Sequence, residues 1–332
     1  MSAQNRVMRL VREPSRIGPA VRRRLPGGRR VEPHLPATAA SVPPRNGPPA
    51  DLAERRRIMT ASIDLDGLGL EIGPSHRPLL PKREGFNIRT ADHLDQAGLI
   101  AKYDGIRETS GIEFVDYVVQ GNRLTTTIPD TFDYVVASHV IEHTVCLVSF
   151  LQDVRKLLNP GGVLSLAVPD RRYSFDRFRE RSSLARVLEI YHAAPEVHSE
   201  GAVIDYFFNV VRKGSSISWF EGAPGDYQNV HTFDEAMVAA ATVREGEYVD
   251  VHNWVFTPSH FRLLIEDLLS LGLIDVREKS FGDTRGSEFF VTLGVDGEGP
   301  GLARHELLER SADEIHDVDS PRFADDGPGP AR

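Results

Sequence analysis

From Leu68 to Pro169 short runs of continuous apolar residues alternate with segments of helical period, and this alternation constrains the fold more than any other feature of the chain. "LGLEIG" (68–73), "FNIRTAD" (86–92), "IEFVDYVV" (112–119), "FDYVVASHV" (132–140) and "VLSLAVP" (163–169) read as five strands. The fourth has a wholly apolar centre, which a strand shows when both its faces are covered. Leu147, Phe150, Leu151, Val154, Leu157 and Leu158 recur at three- and four-residue spacing, one apolar face of a helix, and Asn159-Pro160-Gly161-Gly162 stops it. Further on, "FTPSHFRLLIEDLLSLG" predicts a helix with Thr257 as N-cap, Pro258 at its first position and Gly272 at its end. "LIDVREKSF" and "SEFFVTLG" predict two strands that pair as an antiparallel edge. The expected fold is α/β: a doubly wound, mostly parallel seven-stranded sheet of Rossmann-like type, with an irregular insert after strand five.

The flanks differ in composition. Residues 1–55 are rich in Arg, Pro, Gly and Ala without apolar period, and are expected to be a disordered tail. The domain is expected over 56–294, with 171–250 as a substrate-side lid, and 295–332 as an acidic, mostly disordered tail. Within that tail "LARHELLERSADEIH" has the pattern of one amphipathic helix. The net charge of −9 hides thirteen Arg against four acids in residues 1–57, so the remainder stands at −18. An acidic body argues against nucleic acid as the main partner. The basic arm reads as a solvated tail, as translation from a start earlier than Met59, or as a contact for anionic surfaces. A single cysteine, Cys146, fits a reducing compartment, and no run is apolar enough to cross a bilayer, so a cytoplasmic location is expected.

In open parallel sheets ligands bind where the strands end. Strand one ends at Glu71-Ile72-Gly73, and Asp92 ends strand two, placed to accept hydrogen bonds from both hydroxyls of a ribose. A pyrophosphate cradle needs G-x-G-x-x-G, and here only Gly73 is present, followed by Pro74, Ser75 and Pro78. A phosphate-free nucleoside with a positive group, S-adenosylmethionine, suits one close backbone approach at Gly73 beside the acid Glu71. A plain strand–turn remains equally open on this motif alone.

"FDYVVASHVIEH", then a helix, then "LLNPGGVLSLAVPD" resembles the class I S-adenosylmethionine-dependent methyltransferases over about residues 66–170 and, more weakly, 255–294. The resemblance rests on Phe132-Asp133 opening strand four, Glu142-His143 in the loop after it, and Pro160-Gly161-Gly162 before strand five. "LEIGP" stands in the place of the family's acid–x–Gly–x–Gly motif, and Asp92 in that of its ribose-binding acid. The resemblance implies S-adenosyl-L-methionine as cofactor, held by Glu71, Gly73, Pro74, Ser75, Asp92, His93, Gln120, Gly121 and Ser138. Ser75 replaces the second motif glycine, and Gln120-Gly121-Asn122 stands where many relatives carry an adenine-fixing acid.

The implied reaction is methyl transfer to O or N of a small molecule, with a sugar or sugar-nucleotide/glycan precursor as one candidate acceptor. A non-catalytic cofactor-binding scaffold is the alternative, and a nicotinamide-dependent oxidoreductase a weaker one. The protein's task is to align nucleophile and methyl, helped by a general base. His143 is the favoured base, with His139 and His252 as further candidates, because imidazole titrates near neutral pH. His139 and His143 stand four apart, but the chemistry requires no metal and none is assigned. Five Arg in "PDRRYSFDRFRER" suit an anionic acceptor, or else pair with Asp170, Asp176 and Glu180. Trp254 reads as a pocket wall or as core, and Cys146 as core.

Overall fold

A computed structural model describes residues 49–315. Its centre is a seven-stranded sheet in the order β3-β2-β1-β4-β5-β9-β8. The strands are β1 (Gly69–Ile72), β2 (Ile88–Asp92), β3 (Tyr117–Val118), β4 (Phe132–Ser138), β5 (Leu158–Pro169), β8 (Arg277–Arg285) and β9 (Glu288–Gly294). β1 to β5 run parallel, while β9 is antiparallel to both β5 and β8, so the antiparallel edge expected from the sequence is present. The order reverses beside β1, which leaves the ends of β1, β2 and β4 together at one rim.

Continuous apolar strands have the predicted consequence. Along β4, Val135 and Ala137 face one buried cluster while Tyr134 and Val136 face another. The first cluster is closed by α3 (Leu147–Leu157) and α7 (Pro258–Ser270). Both use the stripe of apolar positions read from the sequence, and Phe150, Leu151, Val154, Phe261, Leu264 and Leu268 are buried. The second cluster is closed by Met59 of α1 (Leu52–Met59) and by Leu79 and Leu80. No α-helix follows β1. Pro74, Pro78 and Pro81 leave room only for a single 3-10 turn, Lys82–Glu84, before β2. α2 (Gln96–Tyr103) then leads to β3, which is only two residues long, shorter than the sequence implied.

Three other expectations need correction. The tail boundary at 55 falls inside α1, which Asp51 caps by accepting from the Glu54 N–H at 2.8 Å. Residues 1–48 and 316–332 lie outside the described residues. The insert is regular: α4 (Leu184–Ala193), α5 (Glu200–Asn209), a hairpin of β6 (Val211–Lys213) and β7 (Tyr227–Asn229), and α6 (Phe233–Arg244). Val203, Phe207, Ala236, Ala239 and Val243 give it a core of its own. Its aromatic and charged mixture concealed this because small helices packed on each other need only two or three apolar positions apiece. Finally, α7 starts at Pro258 after Thr257, but the Thr257 hydroxyl does not cap it. The carboxylate of Glu314, just past α8 (Arg304–Asp313), accepts from the Ser259 N–H instead, at 2.9 Å.

Candidate active site

At the β1 end, Gly73 has φ +66°, a conformation that suits glycine. A Cβ there would stand 2.8 Å from Val140 Cγ2, so the turn after β1 lies directly against the loop after β4. The Gly73 N–H donates to Ala91 O at 2.8 Å, which brings it beside the end of β2. Asp92, 6 % exposed, accepts from the Ser75 N–H at 3.1 Å and the His93 N–H at 2.8 Å, and lies 2.5 Å from His93 Nδ1. Burial works to raise its pKa, but the His93 ring and these N–H donors outweigh it and hold the carboxyl below its usual range. Ser75, itself at φ +53°, donates its hydroxyl to Tyr103 OH at 2.6 Å.

Glu71 is placed differently from the expectation. Its carboxylate turns into the protein and accepts from the Leu79 and Leu80 N–H groups at 2.6 and 3.1 Å. Burial pushes its pKa up to about 7 despite those bonds. It fixes the proline-rich loop rather than presenting charge to a ligand. Gln120 and Gly121 follow β3 and are exposed, with Gly121 at φ +80°, while the neighbouring Asn122 amide donates to Pro195 O of the insert at 2.8 Å.

The loop after β4 carries the richest chemistry. Ser138 Oγ accepts from Arg55 Nη2 at 2.6 Å, and the same Arg55 pairs with Glu288 at the start of β9. His139 has φ +54° and its Nε2 is 2.8 Å from Glu288 Oε2. Burial lowers the His139 pKa, but Glu142 and Glu288 together push it up to about 10. An imidazole held protonated at neutral pH cannot serve as a base, so His139 is withdrawn from that role. Glu142 is fully buried, and burial raises its pKa less than the surrounding histidines lower it.

The segment after the insert crosses this loop. The Asn253 and Trp254 N–H groups both donate to Glu142 O, at 2.8 and 3.0 Å, and Trp254 Nε1 donates to Thr144 O at 2.7 Å. Trp254 is thus 1 % exposed core that ties two segments together, not a pocket wall. The crossing delivers His252, whose ring meets that of His143 edge-on with centroids 4.6 Å apart. His143 Nδ1 lies 2.8 Å from Asp250 Oδ1, and His252 Nδ1 lies 2.5 Å from Asp176 Oδ2. Asp176 is anchored by fully buried Arg179 at 2.8 Å, and His252 and Arg179 hold it down at about 2 against its burial.

Of the predicted residues, the structure brings Gly73 and Asp92 together at one end, and Ser138, His139, His143 and His252 at the other. Pro74 serves to shape the turn. Arg55, Asp176, Asp250 and Glu288 were missed. They lie in α1, in the insert and at the start of β9, and only the charge of 171–181 hinted at any of them. The Arg residues of that run have internal partners: Arg172 pairs with Asp170, Arg179 with Asp176, Arg181 donates to Ser311 and Arg171 to Arg177 O. Cys146 is buried, as expected.

The β1–β2 rim fits a nucleoside cofactor without phosphates. It offers one carboxylate and one glycine turn, and no helix N-terminus follows β1 to receive a pyrophosphate.

Residues 49–210 match the family model described as a methyltransferase domain. No curated protein matches the chain. Among solved structures, the glycopeptide N-methyltransferase MtfA shares 14% identity, covering 73% of this chain and 89% of its own, at a TM-score of 0.37. A SAM-dependent methyltransferase from Aquifex aeolicus shares 11% over 72% of this chain and 88% of its own, at 0.35. The mitomycin 7-O-methyltransferase MmcR shares 14% over 73% of this chain and 53% of its own, also at 0.35. Over residues 49–210, just under half of its length, the chain is thus similar to methyltransferase domains, and its seven-stranded sheet with an antiparallel edge is a Rossmann-like α/β fold.

Proposed function

We propose that the chain transfers a methyl group from S-adenosylmethionine to an oxygen or nitrogen of a small molecule, at the loop after β4. The cofactor supplies an electrophilic methyl on a sulfonium. The chain's own part is to hold the nucleoside at Asp92 and Gly73 and to take a proton from the acceptor. The observation that carries this reading is the pairing of His143 with Asp250 at 2.8 Å. A carboxylate only accepts, so it keeps the proton on Nδ1 and leaves Nε2 as the basic atom. His143 is also more accessible than His252, with its side chain 26% exposed against 6%. The insert stands over this loop through His198, whose Nε2 lies 3.0 Å from His143 O, and so is placed to choose the acceptor. A sugar or sugar-nucleotide acceptor stays within the proposal, but the internal pairing of Arg172, Arg179 and Arg181 weakens the argument for an anionic one.

Thermal melting with S-adenosylhomocysteine and with NAD, followed by labelled methyl transfer to a panel of hydroxyl and amine acceptors, tests the reading. The demethylated cofactor should stabilise the protein and NAD should not. His143→Ala should then lower turnover by about 10²–10⁴-fold while leaving cofactor affinity unchanged. Stabilisation by NAD alone, or full turnover in the variant, overturns it.

A further inference from the structure

We infer that Glu142, His143 and His252 form a binding site for one divalent first-row transition-metal ion of the zinc class. Among the described residues these three are the group whose ligand atoms, one from each, all lie within 4.8 Å of one another. Glu142 is 0% exposed, and neither of its carboxylate oxygens has a hydrogen-bond partner. A buried carboxylate left in that state is costly unless a cation meets it.

The two imidazoles of the group stand too far away to hydrogen-bond it. Glu142 Oε1 is 3.7 Å from His252 Nε2 and 3.9 Å from His143 Nε2, too far for hydrogen bonds. Two ligand atoms that share one ion, each about 2.1 Å from it, stand up to about 4.2 Å apart. Both spacings fall inside that limit, and the two imidazole ligand atoms lie within 4.8 Å of each other, so one ion would draw the three together. His139 comes nearer, with Nδ1 3.5 Å from Oε1, and as a protonated ring shared with Glu288 it offsets part of that charge, so an ion here would be the second cation at Glu142.

The far sides of the two rings make the stronger argument. Each Nδ1 faces a carboxylate, Asp250 for His143 and Asp176 for His252, and each Nε2 is the ring nitrogen on the Glu142 side. This carboxylate–imidazole backing is how proteins orient histidines that ligate metals. The backing is itself fixed, because Arg179, fully buried, holds Asp176. Glu142 and His252 are set by the backbone bonds from Asn253 and Trp254 to Glu142 O. The exposed side of His143 leaves a way in for the ion and an open position for an oxygen ligand. Two imidazoles with one carboxylate favour zinc, iron, cobalt or nickel over magnesium or calcium.

The site departs from the expectation that no metal takes part. A loaded ion would take up His143 Nε2, so that nitrogen acts as the base of the proposed methyl transfer in the ion-free form, and the ion would regulate that step. Binding of the ion itself does not depend on that role.

The test uses the full chain, stripped with a chelator and titrated with Co²⁺ and then Zn²⁺, with no acceptor present. One Co²⁺ per chain should bind with visible absorption bands, and Zn²⁺ should displace it. Glu142→Gln and His252→Gln should abolish the bands, and Asp250→Asn should weaken binding by about 10–100-fold. His305→Ala, on the exposed face of α8, should change nothing. Calorimetry with S-adenosylhomocysteine on the same samples reports folding and keeps the two readings apart. Absent bands with intact cofactor binding overturn the metal site alone. Bands that survive both ligand variants also overturn it. Bands without cofactor binding uphold the site and reject the methyltransferase reading.

Discussion

Asp92 and Glu71 show how little a carboxylate's place in a motif says about its task. Both end parallel strands, and both are buried. Glu71 satisfies two loop N–H groups, while Asp92 stands next to the turn at Gly73. Replacing Asp92 with Ala removes an acceptor for ribose hydroxyls and should weaken S-adenosylhomocysteine binding by about 1–3 kcal/mol in calorimetry. Unchanged affinity removes Asp92 from the site. The acid at the end of β2 was legible because strand period and spacing place it. The inward turn of Glu71 was not, because it depends on where Leu79 and Leu80 return after three prolines. His139 was misjudged as a base for a similar reason: its partner Glu288 is 149 residues away.

At the scale of elements, α7 carries a histidine in an unusual setting. His260 is 8% exposed, and its Nδ1 lacks a hydrogen-bond partner. Burial, with the charges of Arg181 and Arg171, pushes its pKa down to about 3. The unfolded chain takes up a proton below about 6.5 while the folded chain refuses it until near 3, so stability falls as pH drops through that window. Glu71, with its pKa raised to about 7, acts with the opposite sign, and comparison with a variant isolates the histidine. Urea unfolding at pH 7 and pH 5 should show His260→Gln losing less stability than the parent, by up to about 2 kcal/mol. Equal losses would remove His260 as the cause. Helices α3 and α7 were read correctly because each offers one long apolar stripe. The helices of the insert were not, because Phe175, Tyr206 and His231 pack as an aromatic group whose spacing matches no simple period.

Among the described residues the apolar clusters on the two faces of the sheet stand apart from the one inside the insert. Phe207, 1% exposed, belongs to the insert's cluster. Phe207→Ala should cost about 3–5 kcal/mol within the insert. Hydrogen exchange should then show residues 200–244 losing protection while β1, β4 and β5 keep theirs. Uniform loss across both regions would mean that the cores open as one. The parallel sheet and its antiparallel edge were readable from the rhythm of the sequence. The meeting of Glu142, His143 and His252 was not, because an entire folded insert separates the first two from the third.

That separation has a bearing on how the protein comes to be made. Asn253, which clamps the loop after β4, reaches back 109 residues to Thr144 O. During synthesis the ends of β1, β2 and β4 emerge early, but the imidazole cluster must wait for the insert and the strand of chain beyond it. A truncated product ending before residue 252 would lack that cluster together with α7, β8 and β9, which close and flank the sheet.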